Sequence, residues 1–355
     1  MRYANFPGCS AKTTGRAYTE SFGYVAERVG IQLDDIPDWI CCGASAGAGA
    51  SDLLADALPA RSLAHAEAAY GDEPVLALCA GCYRNLRHAQ LRVRDDAAAR
   101  AQIEEAIGMP YAARADVVNG IEPFLDDDVQ KAVSAQVTEP LNGLKVACYY
   151  GCALVRPRAL KPFDDDENPQ SMERIVALTG AEPVAWERKT ECCGASHHTS
   201  VPGAMAPLIE RLFEDAKAHG AEAIATACPL CQLNLDMRQK DMDRRRTAAG
   251  KKPLGMPVYY FTELIAASFG GPVDQIGLTR HFLPAEALIA EAKKREVKHE
   301  PTPEELRAQR IAEAKRRKQE RAAAQAAGNA DGQAAQAQPT AAAAQTKGTE
   351  ASDHE

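Results

Sequence analysis

The sequence predicts an α/β protein made of two pseudo-symmetric cysteine-rich modules with short, mostly parallel sheets, followed by a tail that is helical and then disordered. Three observations carry this. One set of cysteine segments occurs twice in the same order. Short apolar runs alternate with helical stretches between those segments. Composition changes near residue 291, beyond which charged and then Ala- and Gln-rich sequence replaces core-forming residues. The 355 residues then divide into a first module over 1–125, a connector over 126–142, a second module over 143–290 and a tail over 291–355.

In the first half, Gly8-Cys9 is followed after 31 residues by Cys41-Cys42-Gly43-Ala44-Ser45, and after 36 more by Cys79-Ala80-Gly81-Cys82. In the second half, Gly151-Cys152 is followed after 39 residues by Cys192-Cys193-Gly194-Ala195-Ser196, and after 34 more by Cys228-Pro229-Leu230-Cys231. Each C-x-x-C is trailed by Asn-Leu, at Asn85-Leu86 and Asn234-Leu235, and the two tryptophans of the chain, Trp39 and Trp186, each precede a Cys-Cys pair.

Arg2 to Phe6 reads as a short strand and Thr14 to Val29 as a helix stopped by Gly30. Ile31 to Leu33 reads as a second strand, and Asp52 to Tyr70 as a helix that Pro59 should kink. Val75 to Leu78 is a short apolar run, hence a buried strand that delivers Cys79 at its C-terminal end. A helix then runs from Cys82 to about Ile107, where Gly108 and Pro110 stop it. The second half repeats this: a strand from Leu144 to Ala147, a helix from Ser171 to Thr179, a helix from Ala206 to Ala218, and a strand from Ala223 to Ala227 ending at Cys228. Asp126-Asp127-Asp128, Pro140 and Gly143 mark the connector, and Asp164-Asp165-Asp166-Glu167 reads as a solvated acidic loop. In the tail, Thr302-Pro303-Glu304-Glu305 opens a charged helix to about Arg321, and the sequence after Ala322 is too poor in apolar residues to form a core.

The formal charge of −8 gives no reason to expect a nucleic-acid partner. No run approaches the roughly 18 apolar residues of a transmembrane segment, and Met1 to Cys9 contains no apolar core of a secretory signal, so a cytoplasmic protein is expected. Eleven cysteines in a reducing compartment point to metal or redox chemistry rather than disulfides. There is no G-x-G-x-x-G after a strand and no Walker motif, so no flavin or nucleotide is expected on this chain.

Parallel strands gather functional groups at their carboxyl ends, which places five thiols in one crevice per module. Thiolates suit iron–sulfur clusters and zinc. Five cysteines are one more than a tetrahedral zinc site takes, and the side chains of an adjacent Cys-Cys pair diverge, which fits a group with several metal atoms. Gly43 and Gly194 would let the backbone approach such a group closely. Zinc in one module, redox disulfides at the two C-x-x-C pairs and simple core packing of the cysteines remain open on spacing alone. Cys148 aligns with Asn5 and so falls outside the repeat, as a sixth ligand, a thiol behind the ligands or a core residue.

The doubled pattern resembles the CCG domain in the B subunit of heterodisulfide reductase over about residues 1 to 270. Pro7-Gly8-Cys9-Ser10, Leu58-Pro59-Ala60-Arg61 and Tyr150-Gly151-Cys152-Ala153-Leu154-Val155-Arg156-Pro157 agree with it. The resemblance implies two non-cubane [4Fe-4S] clusters. By motif position, Cys9, Cys41, Cys42, Cys79 and Cys82 would hold the first, and Cys152, Cys192, Cys193, Cys228 and Cys231 the second. It also implies two partners of the heterodisulfide reductase type, one containing flavin and one ferredoxin-like. A disulfide or related sulfur substrate would be reduced or formed between the clusters. The domain also occurs in fumarate, succinate, glycolate and lactate oxidoreductases, so a subunit that relays electrons to quinone or to another enzyme is the alternative. His197 and His198 follow the second Cys-Cys-Gly-Ala-Ser and are candidate auxiliary proton donors, or else an ordinary polar pair. Lys12, Arg16 and Arg156 follow the first cysteine of each module, as tuning charges or as surface residues.

Overall fold

The computed structural model describes residues 1–197 and 201–296, together with Arg307. The chain divides into two units, Met1–Val297 and Lys298–Glu355. The expected tail helix and low-complexity segment lie outside the described residues, apart from Arg307.

In the first half, β1 (Arg2–Phe6), α1 (Arg16–Val29), β2 (Gln32–Asp35), α2 (Ala44–Ala50), α3 (Asp52–Tyr70), β3 (Val75–Ala77), α4 (Ala80–Asp95), α5 (Ala97–Ile107) and β4 (Val117–Asn119) succeed one another. Next comes α6 (Asp127–Gln136), in the stretch expected as a connector. The second half contains β5 (Lys145–Tyr149), α7 (Gly151–Leu154), α8 (Ser171–Ala177), β6 (Glu182–Pro183), α9 (Pro202–Ala218), β7 (Ala223–Thr226), α10 (Pro229–Ala248), β8 (Val258–Tyr260), α11 (Phe261–Ser268) and α12 (Glu286–Lys294).

Two four-stranded sheets result, ordered β2-β1-β3-β4 and β6-β5-β7-β8. Every pairing is parallel, so the α/β expectation holds. The registers correspond: Arg2 faces Gln32 as Lys145 faces Glu182, and Ala77 faces Asn119 as Thr226 faces Tyr260. Strands β3, β7 and β8 are buried along their whole length, which is why they appear in the sequence as unbroken apolar runs rather than as alternation.

Two local expectations change. The helix after Cys82 does not run unbroken to Ile107; it breaks at Asp96, whose carboxylate accepts from the backbone N–H groups of Ala98 and Ala99 and caps α5. The second strand begins at Gln32 rather than Ile31. Helix α3 spans Asp52–Tyr70 as expected, with Pro59 inside it.

The two sheets share one apolar core, which includes an aromatic chain across their junction. Tyr18 and Phe22 of α1 meet Phe124 and Phe261 edge to face, with ring centroids 5.5–6.3 Å apart, and Tyr18 stacks on Tyr260 at 4.5 Å. Each buried ring of this size contributes about 1.5–3 kcal/mol by leaving water, and each pair about 0.5–1.5 kcal/mol more. Ser21 and Thr262 hydroxyls lie 2.7 Å apart beside it, linking α1 to α11.

A second device is duplicated. The residue that ends the fourth strand of each sheet donates its backbone N–H to a glutamate three residues on: Asn119 to Glu122 at 2.9 Å and Tyr260 to Glu263 at 2.8 Å. Glu263 is charge-balanced by His281 at 2.9 Å; burial alone would depress that imidazole, but the charge and hydrogen bonds of Glu263 and Asp236 hold it at about 10. Glu122 is instead pushed up to about 7 by burial. A carboxyl whose folded value exceeds its ordinary 4.5 binds its proton more tightly when folded, so it subtracts stability as pH rises from 4.5 to 7. Glu122→Gln keeps the acceptor oxygen and removes the charge. It should therefore raise the urea-unfolding free energy at pH 8, by up to about 3 kcal/mol, and leave it near native at pH 4.5. A gain of equal size at both pH values would contradict this.

Candidate metal centre

In each sheet the chain leaves β1 or β5 in one direction for β2 or β6, and returns on the other side for β3 or β7. The gap outside the carboxyl ends of those two strands is the switch point at which open parallel sheets bind ligands. Cys9 follows β1 and Cys79 follows β3; Cys152 follows β5 and Cys228 follows β7. Cys79 and Cys228 are the N-cap residues of α4 and α10, with Cys82 and Cys231 in the first turn. The positive end of the helix dipole favours thiolates there.

The thiols pair in the same way in both halves. Cys9 neighbours Cys41, and Cys152 neighbours Cys192, closely enough to shift each other's proton affinity. Cys42 Sγ lies 3.3 Å from Cys82 Sγ, and Cys193 neighbours Cys231 in the same way. Adjacent cysteines thus point to different partners. Cys41 is exposed while Cys42 is 2% exposed, and Cys192 is half-buried while Cys193 is 3% exposed. Hydrogen bonding pushes Cys42 and Cys193 down and Cys82 and Cys231 up. Cys192 is held at about 6, first by Cys152 and in smaller part by the charge of His197. One further interaction joins the halves: the neighbouring Cys228 thiol, and then Cys82, hold Cys79 well below the ordinary thiol range.

The surrounding residues fix these loops. Asn85 Nδ2 donates to the carbonyls of Cys42 and Ala44 at 3.1 and 3.0 Å, and Asn234 Nδ2 donates to that of Cys193 at 2.8 Å. The repeated Asn-Leu signal in the sequence therefore has two jobs, since Leu86 and Leu235 are fully buried in the core. Trp39 packs edge-on against Phe6, and Trp186 packs against Tyr149, the aromatic residue that ends the first strand of each sheet. In the first half, Arg61 of α3 donates to the Asp38 carbonyl at 2.8 Å, and Ile40 N–H to Ser62 Oγ at 3.1 Å. In the second half, Lys189 takes that place, three residues before Cys192. Its carbonyl accepts from the N–H groups of Tyr150 and Gly151, and its ammonium bonds Glu173 at 2.6 Å with side chains 4% and 11% exposed. Tyr150 donates to the same Glu173 at 2.6 Å. Removing one member of such a buried pair costs about 3–5 kcal/mol. Nothing in the spacing of Lys189 or Glu173 marks them in the sequence.

Gly43 and Gly194 have φ of 77° and 83°, and an added Cβ would meet Leu58 of α3 at 2.9 Å or Leu208 of α9 at 3.2 Å, so side chains of nearby helices also require glycine there. Gly8 and Gly151, with φ of 71° and 67°, are the ones that face sulfur: a Cβ on either would lie 3.3 Å from the Sγ of Cys82 or Cys231.

A cavity of about 560 Å³ is lined by all five second-half cysteines, by Tyr150, and across the junction by Ala80, Gly81, Arg84 and Asn85. A polar cavity of about 470 Å³, with Asp52, Asp56, Arg84, His88 and Arg92 on its walls, shares Arg84 and Asn85 with it. His197 is exposed in the short 3-10 segment Ala195–His197; His198 lies outside the described residues. Cys148 is fully buried on β5, and its carbonyl accepts from Trp186 Nε1 at 2.9 Å, so it is a core residue. Arg16 pairs with Glu20, and Arg156 is exposed.

Among the described residues no three Cys, His, Asp or Glu side chains converge as the ligands of one ion would. The thiols lie instead in linked pairs around two switch points, and all eleven cysteines are free. Glycine at positions 8 and 151 keeps a cradle beside the sulfurs that a methyl group would fill, and the donors are soft thiols that a metal core would deprotonate. The residues present fit an iron–sulfur group. Gly151→Ala should lower folding stability by about 1–2 kcal/mol through its left-handed φ and the sulfur contact. Gly23→Ala, on an exposed position of α1 with open space around it, should hold or raise stability by about 0.5–1 kcal/mol. Equal effects in urea unfolding would remove the special role of position 151.

The cysteine-rich CCG domain model matches residues 3–87 and 146–236. The chain is 30% identical over 289 residues to the 8-methylmenaquinol:fumarate reductase membrane anchor subunit of Wolinella succinogenes, covering 81% of this chain and 98% of that one. It is 26% identical over 282 residues to the B subunit of the ferredoxin:CoB-CoM heterodisulfide reductase of Methanosarcina mazei, covering 78% and 92%. A protein of Archaeoglobus profundus, described as like the B subunit of heterodisulfide reductase, is 25% identical, covering 78% and 93%. A hypothetical protein from Helicobacter pylori shares the fold, with a TM-score of 0.59 at 12% identity over 79% of this chain and 51% of that one. Doubled cysteine segments, doubled sheets and these relatives agree: the chain belongs to the family of cysteine-rich CCG-domain proteins, carries that domain in duplicate, and is related to B subunits of heterodisulfide reductases and to a fumarate reductase membrane anchor subunit.

Proposed function

We propose that this chain is the iron–sulfur catalytic subunit of a heterodisulfide-reductase-like complex, acting in the cytoplasm with a flavin-bearing partner and a ferredoxin-like partner. Each module, 1–125 and 143–290, would hold one non-cubane [4Fe-4S] cluster. Cys9, Cys41, Cys42, Cys79 and Cys82 hold the first, and Cys152, Cys192, Cys193, Cys228 and Cys231 the second. The observation that carries the reading is the cavity lined by one complete set of five thiols and walled on its other side by Ala80, Gly81, Arg84 and Asn85 of the first half of the chain. When bound, the two clusters supply one electron each, the pair that cleavage of an S–S bond consumes.

The residues of the chain then have definable tasks. Asn85 and Asn234 hold the Cys-Cys loops at fixed depth through their carbonyls. Leu230, between Cys228 and Cys231 on the cavity wall, gives the sulfur substrate an apolar contact. Arg84 offers positive charge where a released thiolate would stand. His197, next to the second Cys-Cys-Gly-Ala-Ser, would return a proton to that thiolate, with His198 as its neighbour in sequence.

A second reading has its own observation. The relative from Wolinella succinogenes is named as the membrane anchor of a menaquinol:fumarate reductase, which favours a subunit that relays electrons to a quinone. Among the described residues no helix is long and apolar enough to cross a membrane, so any such contact by these helices is peripheral.

Anaerobic purification with iron, sulfide and zinc analysis tests the first step: about eight irons and negligible zinc are expected. Electron paramagnetic resonance during titration with thiol and disulfide tests the second. A signal that responds to thiol supports the catalytic reading; iron that is blind to thiols moves the assignment to the relay. Cys193→Ala should lose about half the iron and all disulfide reduction, and retained reduction with the second cluster gone would overturn the two-cluster mechanism.

A further inference from the structure

Three buried polar atoms without a hydrogen-bond partner lie in one place: the phenol oxygens of Tyr18 and Tyr260, and Thr226 Oγ1. All three residues have no exposed surface. Tyr18 and Tyr260 are stacked face to face, 4.5 Å between centroids and 5° between planes. Thr226 is the register partner of Tyr260 at the carboxyl ends of β7 and β8, two residues before Cys228. Buried hydroxyls are satisfied almost without exception, so a group of three that is not calls for an explanation.

The packing argues that these hydroxyls are kept on purpose. A Cβ on Gly120 would collide with the Tyr18 hydroxyl, so glycine there preserves room for an oxygen that bonds to nothing in the protein. Phenylalanine at 18 and 260 would fill the same stack without the cost of burying two orphaned O–H groups. What distinguishes the place is sulfur. A Cβ on Gly120 would meet both the Tyr18 hydroxyl and Leu78, the residue before Cys79, while Thr226, beside Tyr260, stands two residues before Cys228; burial raises both phenols well above their ordinary value, with Glu263 and then the thiols adding to Tyr260. A donor beside thiolates has an acceptor waiting once those thiolates hold metal.

We propose that Tyr18 and Tyr260 are positioning residues that donate O–H···S hydrogen bonds to the sulfur of the metal-bound centres at Cys79 and Cys228, and so raise the reduction potentials of both centres together. This rests on the reading that these cysteines hold iron–sulfur clusters. Hydrogen bonds to cluster sulfur stabilise the reduced, more negative state, which is the physical origin of the expected shift. Because one phenol comes from α1 and the other from the end of β8, each centre is tuned by a residue from both halves of the chain.

The test uses the full chain with Tyr18→Phe, Tyr260→Phe and the double variant. Iron content, the thermal midpoint of the metal-free protein and the midpoint potentials of the loaded protein, by redox titration under electron paramagnetic resonance, are measured for each. The expected result is native iron content, a metal-free midpoint equal to or above native, and potentials displaced to more negative values in each single variant and further in the double. Full iron with unmoved potentials overturns the inference while leaving the cluster reading intact. A metal-free midpoint well below native also overturns it, because the hydroxyls would then have partners within the fold. If the native protein binds no iron, the cluster reading fails and this inference with it.

Discussion

Cys79 and Cys228 each stand at the carboxyl end of a parallel strand and at the N-terminus of a helix, and their thiols influence each other across the junction of the two sheets. Two buried sulfurs held this close repel each other once both ionise, so the position is tenable only with strong compensation. The helix dipoles of α4 and α10 provide some, and the protons shared within each half provide more. Most of the architecture follows from bringing these two residues together. The sheets must be parallel, because only then do all strand ends in one sheet face the same way. They must also abut with those ends adjacent, which the aromatic chain from Phe22 through Tyr18 to Phe261 secures.

The duplication is close in backbone and loose in side chains. Register, capping glutamates, glycines at the sulfur cradle and the asparagines that hold the Cys-Cys loops recur in both halves. The fastenings of the loops do not. The first half relies on Arg61 and Ser62 from α3, and the second on the buried Lys189–Glu173–Tyr150 group. Cys148 and Asn5 differ similarly at equivalent positions, one a core thiol and the other an amide that donates to Asp35 at 2.6 Å. Two modules that began alike have kept what touches sulfur and changed what supports it, and the cavity opens on the second set of cysteines.

The sequence announces the site better than it announces the sheets. Cysteines carry strong, specific spacing, so the ten repeated thiols sort into two sets by position; within the first set Cys42 meets Cys82, whereas the interaction of Cys79 with Cys228 crosses between the sets and has no trace in the spacing. Strands β4, β6 and β8 have three, two and three residues, too few for any period to register. The break at Asp96 is hidden because Ala-rich sequence on both sides is equally helical, and one capping carboxylate decides the matter. Lys189 and Glu173 are sixteen positions apart and become partners only through the fold. Tyr18 and Tyr260 are farther apart still, in opposite halves of the chain.

The seat of α1 bears on how the protein is made. Its inner face rests on α11, whose residues Phe261–Ser268 lie near the far end of the described chain, and Arg280 bonds Glu20 across the same boundary. A ribosome delivers the first five thiols long before the surface that encloses them. Through most of synthesis the leading half therefore carries Tyr18 and Phe22 uncovered beside a set of reactive sulfurs. Loading metal into the first site early would do so in a half-built pocket open to oxidants. The dependence of α1 on α11 instead couples closure of the first thiol pocket to completion of the second, so a group held by the proposed ligands would enter after release of the finished chain.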